Sequence, residues 1–203
     1  MNLYTSYYHI PDPARRQEIE TCLEANLNNQ YIDRLVLLCE GARPTIKHDK
    51  LECVDYSERP TFSAYFLEIT ASTTLNDINI VANGDIYFDH TIQVAQRMRQ
   101  YDFWAATRWE VPETGEPYFY GHKDSQDAFF WRGPVMYKAC DFSPGLPGSD
   151  NLLCLRMKQE RYVCSNPGRS LKCYHLHRGE KSYDKVEDRV GSQRKYFHPP
   201  FID

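Results

Sequence analysis

Residues 77–89, which read Asp77-Ile-Asn-Ile-Val-Ala-Asn-Gly-Asp-Ile-Tyr-Phe-Asp89, decide the fold of this chain. The segment begins with the alternating apolar residues of a strand, breaks at Asn83-Gly84 and resumes with a second β-like triplet. A carboxylate that leaves a strand end beside a glycine can approach Mn²⁺ or Mg²⁺, which prefer oxygen ligands and diphosphate oxygens. Asp85 is therefore a candidate metal ligand. The alternative is an ordinary polar turn between two strands.

Strands and helices alternate upstream of this segment. A β-rich opening at residues 2–8 precedes a helix that Asp12 can cap and Pro13 can start. Further strands are predicted at 32–39 and 51–56, and a second helix at 61–72. This alternation predicts an α/β fold with right-handed crossovers, in which ligands collect at the carboxyl ends of the strands.

The downstream half is less regular. We predict strands at 103–111, 128–131, 162–165 and 172–177, a helix at 150–160, and two long loops at 112–124 and 143–149. The loops are expected to form the rim of the site. The tail from residue 179 onward is polar and charged, which favours mobility.

Composition excludes several classes of protein. The chain has 203 residues, the size of one domain, and a net charge of −4, which argues against a nucleic-acid-binding protein. No apolar run approaches the roughly 20 residues that span a bilayer, and no signal peptide is evident, so membrane insertion is not expected. Seven cysteines without a CxxC pair indicate reduced thiols in a cytosolic-type compartment, so a soluble cytoplasmic protein is expected.

A basic segment surrounds a pair of histidines. Residues 156–181 contain seven basic and two acidic residues, which predicts a local anion site. His175 and His177 lie two apart on a strand-like segment, so both imidazoles share one face and could bind a metal or a phosphate. The alternative for either histidine is a packed, hydrogen-bonded residue.

Two aspartates are candidates for a general base. Asp150 follows a glycine-rich loop at the predicted start of a helix, whose N-terminal field would keep the carboxylate ionised. It could instead be only the cap of that helix. Asp127, which precedes an aromatic strand, is the competing candidate. The motifs of serine hydrolases, P-loop kinases and dinucleotide-binding enzymes are absent.

Six motifs together resemble a known family. They are Tyr4-Thr-Ser-Tyr-Tyr8, Asn26-Leu-Asn-Asn-Gln-Tyr-Ile-Asp33, Ala82-Asn-Gly-Asp-Ile-Tyr-Phe-Asp89, Ser125-Gln-Asp127, Pro147-Gly-Ser-Asp-Asn151 and His175-Leu-His177. In this order they resemble a family of small GT-A type glycosyltransferases that includes the N-terminal domain of a chlorella-virus enzyme acting on a capsid protein. The resemblance implies a Rossmann-like fold with a central mixed, mostly parallel sheet flanked by helices.

The resemblance also implies that different segments of a single GT-A-like domain have different functions. Residues 1–100 would bind a nucleotide-diphosphate-sugar, with UDP-sugar the leading candidate, residues 101–178 would hold the acceptor and catalytic groups, and residues 179–203 would form a tail. Asn83-Gly84-Asp85 stands where the family has its Asp-x-Asp motif, so Asp85 would bind Mn²⁺ or Mg²⁺. Because Asn83 replaces the first aspartate, His177, or else His175, would supply a further ligand.

The remaining roles follow from the same resemblance. Thr5, Ser6 and Tyr7 match the family's nucleoside-binding position, and Gly148-Ser-Asp150 matches the element that places the base in inverting members. The implied activity is transfer of a hexosyl or deoxyhexosyl group to a hydroxyl of a glycan or glycoprotein, by a virus-encoded enzyme acting in the host cytosol. If configuration is retained, Asp127 or Asp150 would face the opposite side of the sugar.

Two rival functions remain open at this stage. The Asn83 replacement is compatible with a non-catalytic module that only binds a nucleotide-sugar. A metal-dependent nucleotidyltransferase or phosphohydrolase would also use carboxylates and a diphosphate, but it would release pyrophosphate or phosphate.

Overall fold

A computed structural model describes residues 1–135, 139–177, 187–191 and 196–202. Its helices are α1 (Pro13–Leu27), α2 (Phe62–Ser72) and α3 (Ser149–Gln159), with a 3-10 helix at His90–Arg97. Its strands are β1 (Asn2–Tyr8), β2 (Arg34–Glu40), β3 (Leu51–Tyr56), β4 (Ile78–Ala82), β5 (Ile86–Phe88), β6 (Asp102–Ala106), β7 (Trp109–Glu110), β8 (Tyr118–Phe119), β9 (Ala128–Arg132), β10 (Val163–Ser165) and β11 (Cys173–His175).

The main sheet is mixed and mostly parallel, as predicted. Its order is β10-β6-β9-β4-β1-β2-β3. β9 pairs antiparallel with both of its neighbours, whereas every other pairing in this sheet is parallel. A smaller sheet has the order β5-β11-β7-β8. The fold is therefore an α/β layer with a second, short sheet beside it.

Helices cover both faces of the main sheet. Because side chains alternate along a strand, Leu35 and Leu37 of β2 pack in the apolar cluster that contains the buried face of α1. Val36 and Leu38 pack in the opposite cluster, with α2 and α3. β2 is buried over its central five residues, which explains its nearly continuous apolar sequence.

The helix starts differ in how they are capped. The Asp12 side chain accepts a hydrogen bond from the Ala14 N–H at 2.9 Å, with Pro13 in the first turn, as the sequence predicts. α3 instead starts after Gly148, whose φ of +80° requires glycine, and no side chain caps it. The N-cap position is therefore Gly148 and not Asp150, which lies in the first turn and accepts a hydrogen bond from the Asn151 N–H at 2.8 Å.

Two predicted strands each divide between the two sheets. The segment 77–89 becomes β4 in the main sheet and β5 in the small one, and the segment 103–111 becomes β6 and β7 in the same way. The second break lies at Thr107, whose hydroxyl donates to the carbonyls of His122 and Ser125 and whose N–H donates to the Asn166 side chain. These side-chain and loop contacts replace the backbone hydrogen bonds between neighbouring strands, so the chain leaves the main sheet at Thr107.

The described part of the tail packs against the rest of the chain. The Phe197 N–H donates to the Asn151 carbonyl, and Phe201 forms a β-bridge with Asn166. The expected mobility is therefore wrong for residues 196–202, while residues 178–186, 192–195 and 203 lie outside the described part. No helix within the described ranges has the length and apolarity needed to cross a membrane.

Candidate metal centre and surrounding cleft

A cleft of about 820 Å³ opens at the carboxyl ends of β1 and β4. This is the edge at which ligands collect in open α/β sheets. Residues 83–85, in the break after β4, line the cleft. Asp127, at the start of β9, and Asp150, in the first turn of α3, line it as well. The site residues expected from the sequence thus come from distant parts of the chain, and most of them line this one cleft.

Asp85, His175 and His177 form a compact cluster in its wall. The two imidazole rings are stacked, with centroids 5.5 Å apart and planes 6° apart, so they share one face as their spacing predicts. The Asp85 Oδ2 atom lies 3.3 Å from His175 Nε2 and 3.6 Å from His177 Nδ1. β5 and β11 produce this arrangement because they pair antiparallel with His175 opposite Ile86.

The donor atoms of this cluster fit a divalent cation. One potential ligand atom from each residue lies within 4.8 Å of the others, and no second such group of three occurs among the described residues. Both ring nitrogens of His177 and the Asp85 Oδ1 atom are buried without a hydrogen-bond partner in the part of the chain that the structure describes. Since buried polar atoms are normally paired, these atoms are suited to coordinate an ion.

A closed ring of polar contacts continues from His175. Its Nδ1 lies 2.8 Å from Glu110 Oε2, and the other oxygen of Glu110 accepts from Arg108 Nε at 2.6 Å. Arg108 Nη1 donates to Asp127 Oδ2 at 3.0 Å, and Asn83 Nδ2 donates to Asp127 Oδ1 at 3.1 Å. Asn83 returns to Asp85 through the chain itself. The candidate metal ligands and Asp127 are therefore parts of one network.

Charges within the network are mutually stabilised. Burial disfavours ionisation of Asp85, but the two imidazoles and Arg15 outweigh it and hold the Asp85 pKa well below its usual range. For Glu110, burial is likewise outweighed by His175 and Arg108, and the pKa is about 2. Burial lowers the basicity of His175, but Asp85 and Glu110 prevail and raise its pKa to about 9.

Asp150 has a different environment. Its Oδ2 accepts from the Gln126 N–H at 3.0 Å, and its Oδ1 accepts from the N–H and the side-chain amide of Asn151. Burial raises its pKa and the nearby Asp127 charge adds to this effect, so that despite these hydrogen bonds the pKa is about 7. The expectation that the helix field keeps Asp150 fully ionised is therefore wrong, because desolvation dominates.

Alternation along β1 separates the residues expected to bind a nucleoside. Ser6 lines the cleft, and so does Tyr8. Tyr7 lies in the core and donates from its hydroxyl to Glu20, and the buried Thr5 hydroxyl has no partner among the described residues. A side chain at Gly84 would press on the Ser6 carbonyl, 3.3 Å from the added Cβ. Glycine thus allows the Asp85 turn to pass close to the end of β1.

The basic residues that line the cleft are not those of the basic segment 156–181. Arg156, Lys158, Arg161, Arg169 and Lys172 do not line the cleft, and Arg178 and Lys181 lie outside the described residues. Three of them cover aromatic rings instead: Lys158 covers Phe197, Arg169 covers Phe201 and Lys172 covers Trp109. The basic segment therefore stabilises the tail and the small sheet.

The cleft takes its arginines from elsewhere in the chain. They are Arg15, Arg59, Arg108 and Arg189. Arg15 Nη2 contacts Asp85 Oδ2 at 2.6 Å. Sequence analysis missed Arg15, Arg108 and Glu110 because no local motif marks them. A polar Thr107-Arg108 pair interrupting an apolar strand was the only available signal.

No protein-family model matches the chain, and a search of curated proteins gives no match. Among solved structures, a mannosyltransferase, PcManGT from Pyrobaculum calidifontis, in complex with GDP-Man and Mn²⁺, matches with a TM-score of 0.54 at 11% identity. TarS from S. aureus matches with a TM-score of 0.50 at 10% identity. The matches cover 86% and 87% of this chain but only 56% and 36% of those structures. The chain thus has the fold of a mannosyltransferase that it resembles in structure but hardly in sequence.

Proposed function

We propose that this chain is a metal-dependent glycosyltransferase that moves a sugar from a nucleotide-diphosphate-sugar to a hydroxyl of a glycan or glycoprotein. The observation that carries the proposal is the Asp85, His175 and His177 cluster at the carboxyl edge of the sheet, where Asp85 Oδ1 and both His177 nitrogens are buried without a hydrogen-bond partner among the described residues. The fold it shares with a mannosyltransferase supports the same reaction class.

The donor atoms favour Mn²⁺ over Mg²⁺. Mg²⁺ strongly prefers oxygen ligands, whereas imidazole nitrogen suits transition metals, and Mn²⁺ accepts carboxylate and diphosphate oxygens as well. Two imidazoles and one carboxylate therefore suit Mn²⁺ better. This set also compensates for Asn83, which cannot supply the carboxylate found at this position in the GT-A family.

The diphosphate of the donor would lie between the metal ligands and the cleft arginines. Arg15 already contacts Asp85, and its guanidinium carries further donors that suit phosphate oxygens. The nucleoside would then lie against the end of β1, with Ser6 as the hydroxyl that lines the cleft. Thr5 and Tyr7, on the other face of β1, would support this surface without contacting the nucleoside. We propose a UDP-sugar as the donor, with a GDP-sugar as the alternative to be tested in parallel.

Asp150 is the proposed base. It lines the cleft, and a pKa of about 7 allows it to accept a proton at neutral pH. Both carboxyl groups accept hydrogen bonds, but Asp127 pairs with a cationic side chain, Arg108, as well as with Asn83, whereas the partners of Asp150 are the neutral N–H groups of Gln126 and Asn151. Asp150 would remove the proton of the acceptor hydroxyl as that oxygen attacks the anomeric carbon. When bound, the divalent cation would neutralise charge on the departing nucleoside diphosphate.

A donor-hydrolysis and transfer screen tests this proposal. UDP- and GDP-sugars are incubated with the protein and Mn²⁺, with a mixture of glycans as acceptors, and the released products are separated. A glycosyltransferase releases the nucleoside diphosphate. Cleavage of the donor into a nucleoside monophosphate and a sugar 1-phosphate would favour a phosphohydrolase. Release of pyrophosphate in a parallel reaction of a nucleoside triphosphate with a sugar 1-phosphate would favour a nucleotidyltransferase. Donor binding without any product would favour a non-catalytic module.

A further inference from the structure

We infer that Glu110 is a positioning residue that orients the His175 imidazole toward the cation site. This inference rests on the proposed function, because it assigns a role toward the proposed metal. Glu110 belongs to β7 of the small sheet, and no motif in the sequence marks it. Its carboxylate is nevertheless the group that joins the histidines to the rest of the cleft wall.

The contacts of His175 determine which nitrogen can bind a cation. Its Nδ1 lies 2.8 Å from Glu110 Oε2, whereas its Nε2 faces Asp85 Oδ2 at 3.3 Å. A cation that displaces the Nε2 proton would bind on the side of Asp85 and His177, while Nδ1 keeps its proton and donates it to Glu110. A carboxylate behind a ligating imidazole also raises its strength as a ligand.

Glu110 is itself held firmly in place. Arg108 Nε donates to Glu110 Oε1 at 2.6 Å, so each carboxylate oxygen has its own partner. Arg108 is fixed in turn by Ser125, by Asp127 and by Tyr120, whose ring centroid lies 4.1 Å from the guanidinium carbon. The backbone adds a second constraint, since β7 and β11 pair in parallel with Glu110 beside His175.

His177 has no comparable support. Both of its nitrogens lack hydrogen-bond partners, although its ring stacks on that of His175. Orientation of His175 by Glu110 therefore also fixes the plane against which the second imidazole packs. Loss of Glu110 would loosen both nitrogen ligands while leaving Asp85 and its Arg15 contact in place.

The isosteric variant Glu110→Gln gives the sharpest test. His175 and Arg108 contact different oxygens of Glu110, so a glutamine in the same position must face one of these two donors with its own NH₂ group. Mn²⁺ affinity is measured by calorimetry on the full chain without nucleotide, with Glu110→Asp as a second variant that keeps the charge. Glu116→Gln, an exposed residue of the nearby loop, is the matched control.

We expect Glu110→Gln to weaken Mn²⁺ binding by about 10- to 100-fold, the usual effect of losing such a partner, with Glu110→Asp in between and Glu116→Gln unchanged. In histidine-labelled protein, the Nδ1 proton signal of His175 should disappear or shift in Glu110→Gln alone. A purely structural Glu110 would lower the melting temperature without changing either readout. Unchanged Mn²⁺ affinity and an unchanged Nδ1 signal would overturn the inference, and absence of Mn²⁺ binding in the wild type would instead contradict the proposed function.

Discussion

Asp150 is a buried carboxyl group whose pKa of about 7 suits a general base and opposes stability. Asp150→Asn keeps the shape and most of the hydrogen bonds but removes the basicity. We expect sugar transfer to fall by about 100-fold or more, the scale of losing a positioned base. In the wild type, turnover should rise as the pH increases through about 7, because only the ionised form accepts the proton.

The same substitution should stabilise the protein at alkaline pH. The folded-state pKa of Asp150 lies above its model value of 3.8, so the folded state holds this proton more tightly than the unfolded state does. The associated stability is present below about pH 4 and is lost as the pH rises to about 7. The melting temperature of Asp150→Asn, relative to the wild type, should therefore rise between pH 4 and pH 8. Asp49→Asn, an exposed control, should show no such trend. A full-rate Asp150→Asn enzyme would leave Asp127 as the base.

The contacts of Asn83 favour an asparagine over an aspartate at this position. Its amide donates to Asp127 at 3.1 Å, and a carboxylate at this position would face another carboxylate instead. Asn83→Asp should therefore lose the hydrogen bond and add repulsion, with a cost on the order of 1–3 kcal/mol in the free energy of unfolding. The loss, measured by urea unfolding in EDTA, should be larger at pH 8 than at pH 4. Equal stability of the two proteins at pH 8 would contradict this reading of the contact.

The roles of individual residues could be predicted where residues that are close together in the sequence also lie in the same site. Asp85 follows a strand beside a glycine, and His175 and His177 alternate on one strand, so their meeting was foreseeable. Arg15 and Glu110 could not be found in this way, because their partners lie 70 and 65 positions away along the chain. The raised pKa of Asp150 was also unpredictable, because it depends on burial, which the sequence does not reveal.

At the level of elements, the start of α3 places Asp150, the proposed base, in the wall of the cleft. Gly148 has a φ of +80°, and an added Cβ would collide with the Tyr196 hydroxyl. Gly148→Ala should therefore cost more than backbone strain alone, which is about 1 kcal/mol, and should reduce transfer by displacing Asp150.

The variant Gly115→Ala separates the cost of backbone strain from the cost of the collision with Tyr196. Gly115 has a similar positive φ of +97°, but an added Cβ meets nothing within 4 Å. Chemical denaturation should show a larger loss of stability for Gly148→Ala than for Gly115→Ala. If the losses are equal, the packing of Tyr196 on this turn contributes nothing.

The elements themselves were largely predictable, and their assignment to sheets was not. β1, α1 and α2 have strong local signals, and their bounds agree with the sequence prediction within a few residues. The transfer of β5 and β7 to the small sheet depends on Thr107, Asn166 and the partner strand β11, which come from separate parts of the chain. This transfer brings Asp85 beside His175 and His177, so the residues of the cluster could be named from the sequence but the small sheet that joins them could not.

For the whole molecule, the central claim is that a nucleoside diphosphate binds in the cleft together with a divalent cation. His177→Ala is the most informative variant, because neither ring nitrogen makes a hydrogen bond to another described residue, while Nδ1 lies 3.6 Å from Asp85 Oδ2. His90→Ala, an exposed histidine outside the cleft, is the matched control.

The decisive measurement is a calorimetric titration of UDP, with GDP in parallel, into the wild-type chain in Mn²⁺ and in EDTA. We predict binding at least about tenfold tighter in Mn²⁺, which corresponds to about 1.4 kcal/mol. His177→Ala should lose most of this difference and His90→Ala should keep it. Equal affinity in Mn²⁺ and EDTA for both nucleotides would contradict a metal-dependent donor site.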